Sequence, residues 1–350
     1  MRLLIIGGSA FLGRALAREA LDAGHEVTVF NRGRTAPDVP GVRSVRGDRE
    51  SRPDLERLAA EGPWDAVVDT SGYVPQTVGA SVRAVADQAA AYVFMSTISV
   101  FPDWPATAIT DASPVHDCSP DAGPDDGDYG TLKAGCERVV ARDFPGRALS
   151  LRLGLLLGPN EDVGRLPALL LRMADAGSTR DLRVLAPGDP GSPLRPIDVR
   201  DIAQFTLGAI DQGLTGAYTI AGSPASTSTH GELLEACIAA TGSAARLDWV
   251  DAEFLRNQEV EVWTELPIWV PPGEVPWSVD TSRAEAAGLR CRPLRETVQD
   301  TWAWLAADDG RVRRSYQPKR PHGLSEEKER ALLAAWDAAK TPSQETGSAS

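Results

Sequence analysis

Short, continuous apolar runs alternate with alanine-rich helical periods over the first 150 residues of this 350-residue chain. Continuous apolar runs are typical of parallel strands that helices cover on both faces. The runs predict strands at 2–6, 26–30, 42–46, 65–69, 91–95 and 148–153. The periods between them predict helices at 11–23, 53–61, 76–90 and 129–143. This alternation predicts an α/β fold of the Rossmann type, built on a doubly wound parallel sheet.

A glycine-rich loop follows the first predicted strand and runs into the first predicted helix. It reads Gly7-Gly8-Ser9-Ala10-Phe11-Leu12-Gly13. A dinucleotide pyrophosphate needs a tight turn, a backbone without large side chains, and a helix N-terminus whose free N–H groups face the anion. Gly7, Ala10 and Gly13 suit those three tasks. The loop therefore predicts binding of a nicotinamide dinucleotide.

The end of the second predicted strand indicates which dinucleotide is preferred. In this fold an acidic side chain at that position hydrogen-bonds the free 2′-hydroxyl of the adenosine ribose. The chain instead reads Asn31-Arg32-Gly33-Arg34. Asn31 carries no charge to repel a 2′-phosphate, and Arg32 and Arg34 can clamp one. The pattern favours NADP(H) over NAD(H), the alternative being that both arginines are ordinary loop charges.

The alternation becomes less regular after residue 155, where loops rich in proline and glycine separate the elements. Helices are predicted at 199–212, 229–241 and 294–307, and short strands at 183–185 and 217–220. Segment 257–281 contains three tryptophans and little periodicity, and we expect it to be a lid loop.

These patterns predict four parts of the chain. The first is a dinucleotide-binding domain whose core is completed by a later segment, and the second is a smaller C-terminal domain that mainly binds substrate. A helical extension and a polar, disordered tail follow. In chain order the parts are 1–155 with parts of 197–222, then 156–310, 311–340 with a helix at 325–339, and 341–350.

Tyr129 and Lys133 lie four residues apart at the start of a predicted helix. That spacing places both side chains on one helical face. A phenol is a poor base near neutral pH, and a neighbouring ammonium stabilises the phenolate and lowers its pKa. Such a tyrosine can donate or take the proton that accompanies hydride transfer at a carbonyl or alcohol carbon. The pair predicts acid/base chemistry at Tyr129, tuned by Lys133.

Hydroxyl side chains follow the fifth predicted strand, in Ser96-Thr97-Ile98-Ser99. This is the carboxyl edge of the sheet, where the fold places ligands. A hydroxyl there can hydrogen-bond the substrate oxygen and hold it near Tyr129. Ser96, Thr97 and Ser99 are the three candidates for that role.

Together, these features resemble the extended or atypical short-chain dehydrogenase/reductase superfamily, in its NAD(P)-dependent epimerase/dehydratase branch. The resemblance covers residues 1–308. In that family the loop reads Gly-x-x-Gly-x-x-Gly, so Ala10 is a departure that adds one methyl group. The family's hydroxyl partner precedes a Val-Tyr pair by three residues. Counting back from Val100-Phe101 selects Thr97, with Ser96 next.

The resemblance also implies further cofactor contacts. Asp48 is similar to the acidic residue that contacts adenine, and Thr70-Ser71-Gly72 to the segment that lines adenine and ribose. Lys133 would also hold the nicotinamide ribose. Leu153 stands beside the nicotinamide amide, where the family usually has proline. The remaining expected contacts lie in the loop, at Gly7, Ser9, Ala10, Phe11, Leu12 and Gly13.

Substrate contacts are less clearly marked. The segment 195–201 resembles a substrate-domain motif in which a histidine stands where Asp198 does, which argues against a nucleotide-sugar substrate. Arg195 can grip a carboxylate or phosphate, the alternative being pairing with nearby aspartates. Tryptophans near the lid suit an apolar or aromatic substrate, the alternative being core packing. The candidate substrate contacts are Tyr73, Ser99, Arg195 and Trp269.

Composition restricts the classes of partner. A formal charge of −13 and an isoelectric point near 4.9 oppose binding of nucleic acid. The four cysteines and four histidines lack metal-ligand spacing, so we expect reduced thiols and no metal. Since no apolar stretch is long enough to span a bilayer, we expect a cytoplasmic protein without membrane contact. The family's dimer packs helices like 76–90 and 129–143, which predicts a homodimer, the alternative being core packing of those faces.

Three functions remain. The first is an NADP-dependent reductase or dehydrogenase of a carbonyl or secondary alcohol in a small, apolar or aromatic metabolite. The second is an epimerase or dehydratase of an activated sugar, in which the hydride returns internally. The third is a non-catalytic regulator or RNA-associated protein on the same fold, which the Tyr129/Lys133 pair and the acidic surface oppose.

Overall fold

The computed structural model describes residues 1–176, 182–307 and 316–340. The predicted tail 341–350 and residues 311–315 of the predicted extension lie outside these ranges. The chain divides into two compact units. The sheet unit comprises residues 1–162, 195–227 and 274–300, and the second unit comprises the described residues of 163–194, 228–273 and 301–340.

The strands are short and lie mostly in the first half of the chain. They are β1 Arg2–Ile6, β2 Glu26–Asn31, β3 Arg43–Arg46, β4 Ala66–Asp69, β5 Ala91–Thr97, β6 Arg147–Leu153, β7 Leu156–Leu157, β8 Arg183–Pro187, β9 Pro193–Leu194, β10 Ile197–Asp198, β11 Gly216–Ile220, β12 Ser228–Thr229 and β13 Arg246–Val250.

The α-helices alternate with these strands. They are α1 Phe11–Asp22, α2 Arg52–Ala59, α3 Pro75–Val85, α4 Tyr129–Asp143, α5 Arg165–Ala176, α6 Val199–Asp211, α7 His230–Thr241, α8 Ala252–Asn257, α9 Ser282–Ala286, α10 Leu294–Leu305 and α11 Glu326–Lys340. No helix in the described ranges is both long and apolar enough to cross a membrane.

A parallel sheet of seven strands forms the centre of the sheet unit within the described chain. Its order is β11-β6-β5-β4-β1-β2-β3. Both β2 and β4 pair with β1, so the strand order reverses there, and ligands of such sheets bind beyond the carboxyl ends of strands at this point. The predicted doubly wound α/β sheet is confirmed.

Helices cover both faces of this sheet because alternate side chains of each strand point to opposite sides. Leu3 and Ile5 of β1 join one hydrophobic cluster, which includes α1 and α6. Leu4 and Ile6 join another, to which α2, α3 and α4 contribute. This two-sided burial explains why the strands read as continuous apolar runs.

The second unit contains structure that the sequence pattern did not indicate. Helix α5 was not among the predicted helices. Its first residues overlap the proline- and glycine-rich segment 158–167, and Pro167 lies in the first turn, where a helix tolerates proline. Strand β13 pairs in parallel with β8, and α8 follows it.

The compact units also depart from the predicted domain boundaries. Residues 274–300 cluster with the sheet, whereas the prediction placed them in the substrate-binding part. The expected lid 257–281 is therefore divided between the two units. Its Ile109–Val279 bridge, within the sheet unit, is one contact that fixes its last residues. Which unit binds the substrate stays a prediction.

A buried ion pair ties the loop after β3 to the end of β4. The Arg49 guanidinium donates to both carboxylate oxygens of Asp69, at 2.8 and 2.7 Å. The Tyr92 hydroxyl donates to the same carboxylate at 3.0 Å. Burial opposes ionisation of Asp69, but the charge and hydrogen bonds of Arg49 outweigh it and hold the pKa of Asp69 below its usual range. The sheet edge beneath the ligand site therefore depends on a matched pair of charges.

We predict that Arg49→Met lowers the free energy of unfolding by about 3 to 5 kcal/mol, because it leaves the buried Asp69 carboxylate without its cation. Arg52→Met is the matched control, since Arg52 pairs with Glu56 on the surface and its side chain is 91% exposed. The control should stay close to the parent protein. Urea unfolding of the parent and the two variants measures the free energy of unfolding. An equal decrease in the two variants would show that the buried ion pair stabilises the fold no more than the surface pair does.

Candidate functional site

The glycine loop is packed too closely for side chains. Gly7 and Gly8 have φ of 111° and 88°, a region that favours glycine. A Cβ at Gly7 would lie 2.3 Å from the Thr70 hydroxyl oxygen, and one at Gly13 would lie 2.6 Å from the Gly8 nitrogen. The loop therefore requires glycine at these positions, as a backbone cradle for a pyrophosphate would.

Helix α1 begins in this loop without a capping side chain among the described residues. Its N-cap is Ala10, whose side chain has no acceptor, and the first turn carries no acidic residue. The first N–H groups of a helix lack partners inside the helix, and an anion can satisfy them. Ser9, Phe11 and Leu12 are nearly buried beside them. These residues fit the dinucleotide that the sequence predicts.

A polar network occupies the end of β2. The Asn31 amide donates to the Gly7 carbonyl at 3.1 Å and to Asp38 at 2.9 Å. Arg46 pairs with Asp38 at 2.7 Å. Burial opposes ionisation of Asp38, but hydrogen bonds from Arg46, Ser44 and Asn31 keep its pKa below the usual range. The sequence analysis missed Asp38 and Arg46. It considered only the residues at the end of β2, where this fold usually places the side chain that contacts the adenosine ribose.

The two predicted arginines lie beside this network. Arg32 is 3.9 Å from Asp48, and its side chain is 59% exposed. Arg34 is exposed as well. Both side chains are therefore accessible to a phosphate in solution, and Arg32 lies near the residue expected to contact adenine.

Lys133 is the buried cation of the site. It is only 3% exposed, and its ammonium donates to the carbonyls of Gly72 at 2.9 Å and Met95 at 2.5 Å. It lies 4.1 Å from the centre of the Phe94 ring. Burial lowers the pKa of Lys133 to about 8. The ammonium is thus fixed between the ends of β4 and β5, where the glycine loop also lies.

Tyr129 lies one helical turn before Lys133, as the first residue of α4. Asp128 caps this helix by accepting a hydrogen bond from the Thr131 N–H at 2.9 Å. Tyr129 is 51% exposed, and its ring centre lies 6.3 Å from that of Tyr73. The Tyr129 side chain is therefore accessible to solvent, whereas Lys133 is not.

Gly130 brings the start of α4 against the turn after β5. A Cβ there would lie 2.1 Å from the Ser99 carbonyl oxygen. Since no larger residue fits, the first turn of α4 and the hydroxyl run are held in direct contact. The structure thus brings Tyr129, Lys133 and the three hydroxyl residues to one edge of the sheet.

The three hydroxyls have different surroundings. The Thr97 hydroxyl donates to that of Ser99 at 3.2 Å and accepts from the Ser99 N–H at 3.1 Å. The Ser96 hydroxyl is buried and has no partner among the described residues. Because strand side chains alternate, Ser96 points to the same face as Phe94, the face on which α4 packs.

Other expected contacts have their own partners. Thr70 donates to the Ile6 carbonyl at 3.0 Å, and Ser71 donates its N–H to Asp69 at 3.0 Å. Leu153 is buried in the sheet core. The Arg195 guanidinium donates to the carbonyls of Gly222 at 2.7 Å and Val279 at 2.6 Å.

Two of the expected substrate contacts are packed within their own units. Arg195 is 8% exposed and hydrogen-bonds the Val279 carbonyl within the sheet unit. These contacts explain why the side chain is buried without requiring a bound ligand. Trp269 is buried in a hydrophobic cluster of the second unit. Asp198 caps α6 and pairs with Arg200 at 2.7 Å. Roles of Arg195 and Trp269 in substrate binding stay predictions.

Two enzymes illustrate the similarity in sequence. The 2'-dehydrokanamycin reductase of Streptomyces kanamyceticus is 30% identical over 227 residues, which are 59% of this chain and 60% of that protein, less than two thirds of its length. The dTDP-6-deoxy-L-talose 4-dehydrogenase (NAD(P)(+)) of Kitasatospora kifunensis is 27% identical over 328 residues, 86% of this chain and 94% of that protein.

The fold is also found among solved structures. The UDP-glucose 4-epimerase of Thermus thermophilus, solved as a complex with NAD, superposes with a TM-score of 0.64 at 19% identity, and the match covers 88% of this chain and 100% of that one. The model of the NAD dependent epimerase/dehydratase family matches residues 3–221, more than half of the chain. The chain therefore belongs to the NAD-dependent epimerase/dehydratase family, within the extended short-chain dehydrogenase/reductase superfamily.

Proposed function

We propose that this protein is an NADP-preferring reductase or dehydrogenase that interconverts a carbonyl and a secondary alcohol in a small, apolar or aromatic metabolite. The observation that carries the proposal is the buried Lys133 ammonium, held by two main-chain carbonyls one helical turn from the exposed Tyr129. An ammonium in that position stabilises a phenolate, and no structural ion pair accounts for it among the described residues.

The cofactor would be held by the loop and the neighbouring strand ends. The N–H groups at the start of α1 would hold its pyrophosphate, Asp48 would contact its adenine, and Thr70-Ser71-Gly72 and Leu153 would contact the rest of the molecule. When bound, the cofactor supplies or accepts the hydride. The chain's own residues position the substrate and move the proton.

Tyr129 donates its phenolic proton to the substrate oxygen during reduction and takes it back during oxidation. Lys133 has three N–H donors, of which two are directed to the carbonyls of Gly72 and Met95. The third is available for a ribose hydroxyl of the cofactor. With a pKa of about 8, the amine is still mostly protonated at neutral pH, so its charge is present when the phenolate forms.

Thr97 and Ser96 orient the substrate oxygen in this mechanism. The buried Ser96 hydroxyl has no hydrogen-bond partner among the described residues and can therefore form such a bond. The Thr97 hydroxyl already donates to that of Ser99. A polar group buried without a partner is uncommon unless a ligand or water completes it. Tyr73 and Ser99 are the proposed substrate contacts closest in sequence to these groups.

The preference for NADP rests on the charge around Asn31. Arg32 and Arg34 are exposed, and Arg46 neutralises the nearby Asp38 carboxylate. A 2′-phosphate would therefore meet a net positive region rather than an unpaired carboxylate.

A homodimer formed through α3 and α4 also remains a proposal. Val78 and Val82 of α3 are buried against Val139 and Val140 of α4 within one chain, so these four side chains serve the core. A dimer would have to use the remaining faces of the two helices.

We predict that Tyr129→Phe lowers kcat about 10²- to 10⁴-fold, because it removes the proton donor of the reaction, while NADPH binding is unchanged. Loss of the absorbance of reduced nicotinamide over a panel of aliphatic and aromatic ketones measures turnover. Tyr218→Phe is the matched control, since it removes one phenolic hydroxyl away from α4.

Retention of parental turnover by Tyr129→Phe would show that another residue provides the proton. Substrate conversion with no net change in reduced nicotinamide would instead contradict net redox chemistry and indicate internal hydride return.

We predict that the double variant Arg32→Ala, Arg34→Ala raises the Kd for NADP by about tenfold or more and leaves the Kd for NAD nearly unchanged, since only NADP carries the 2′-phosphate. Isothermal titration calorimetry with both coenzymes measures the two constants. Arg52→Ala removes a surface arginine elsewhere and serves as the control. An equal increase in the two Kd values would mean that the arginines do not contact the 2′-phosphate.

A further inference from the structure

The second unit contains a cavity of about 670 Å³. Its walls come from α5, β8, α7 and the C-terminal residues 316–333. Aliphatic side chains are the largest group in the lining, among them Ala168, Leu169, Met173, Leu185, Leu234 and Leu333. Pockets that bind small organic molecules have volumes of about 300 to 1,000 Å³ and mainly apolar walls with few polar groups.

The C-terminal wall of this cavity is firmly attached. The Glu329 carboxylate is 3% exposed, pairs with Arg172 of α5, and accepts the Leu185 N–H at 2.8 Å. Lys328 donates to Glu265 at 2.6 Å. At the other end, a Cβ on Gly164 would lie 2.7 Å from the Cβ of Pro318. Because these contacts hold the C-terminal segment against α5 and β8, the cavity is a defined feature of the second unit.

His230 is a polar residue of the lining whose ring nitrogens have no hydrogen-bond partner among the described residues. It is 2% exposed. Its ring meets Trp249 edge-on, with centres 6.3 Å apart. Burial lowers the pKa of His230 to about 4, so the ring is neutral at physiological pH and offers one donor and one acceptor.

Most charged side chains of the walls have charged partners. Arg172 pairs with Glu329, Arg183 with Asp248 and Asp337, and Arg330 with Glu326. A buried cation that is already paired offers little to an anionic ligand, whereas an unpartnered neutral imidazole matches a group that both donates and accepts. A hydroxyl is such a group.

We propose that this cavity binds a neutral, largely apolar molecule whose hydroxyl group hydrogen-bonds the His230 imidazole. The site is formed entirely by residues of the second unit, and binding does not require the nicotinamide cofactor. The proposal is therefore independent of the reaction proposed at Tyr129.

The probes for the test are β-naphthol and naphthalene, which share an apolar body and differ by one hydroxyl. Equilibrium dialysis against the full-length protein, with and without NADP, measures both affinities. We expect one β-naphthol site that binds about tenfold more tightly than naphthalene, as one added hydrogen bond predicts. NADP should leave both affinities unchanged. The absence of saturable β-naphthol binding up to about 1 mM, a weak affinity for a pocket of this size, would overturn the proposal.

Three variants locate the site. His230→Phe keeps a ring but removes both nitrogens, and should abolish the preference for the hydroxyl. His230→Gln keeps a donor and an acceptor, and should retain it. Ala168→Phe fills the cavity and should abolish binding of both probes. Unchanged binding in Ala168→Phe, or an unchanged preference in His230→Phe, would show that the probe binds elsewhere.

A measurement on the parental protein does not depend on the folding of any variant. With ¹⁵N-labelled histidine, His230 is identified by ring signals that stay those of a neutral imidazole as the pH falls to about 5, because its pKa is lowered to about 4. β-Naphthol should shift those signals, and naphthalene should shift them much less. Equal shifts with the two probes, or none, would contradict a hydrogen bond to His230.

Discussion

The candidate site depends on how the chain buries one ammonium group. Lys133 is held between the carbonyls that end two neighbouring strands, at Gly72 and Met95. An ammonium removed from water is costly unless its donors are satisfied, and these two carbonyls satisfy most of them. The same bonds attach α4 to the carboxyl edge of the sheet. The position of Tyr129 therefore follows from the burial of the lysine.

The fold could be predicted, and the candidate site residues could be selected, because both follow from local order in the sequence. Each strand is a continuous apolar run, the glycine loop adjoins the first of them, and Tyr129 and Lys133 are four residues apart. The polar networks could not be found in this way. Arg49 and Asp69, or Asp38 and Arg46, become partners only when strands that are distant in sequence lie side by side. Periodicity contains no information on which charges meet.

The second unit shows the same limit more strongly. Helix α5 could not be predicted because Pro167 and the preceding glycines, Gly158 and Gly164, obscure the start of an otherwise apolar helical stretch. His230 is a lone histidine at the first position of α7, where it resembles any residue after a capping threonine. Its isolation from hydrogen-bonding groups is visible only after α5, β8 and the C-terminal segment surround it.

The attachment of α11 has a consequence for how such a chain can diversify. The helix is fastened to the second unit by Glu329 and Lys328, and the sheet unit contains none of the 316–340 segment. Changes in this terminal segment can therefore reshape one wall of a cavity without altering the strands that present the glycine loop. We therefore expect related proteins to differ more in this terminal segment than in the strands around the glycine loop.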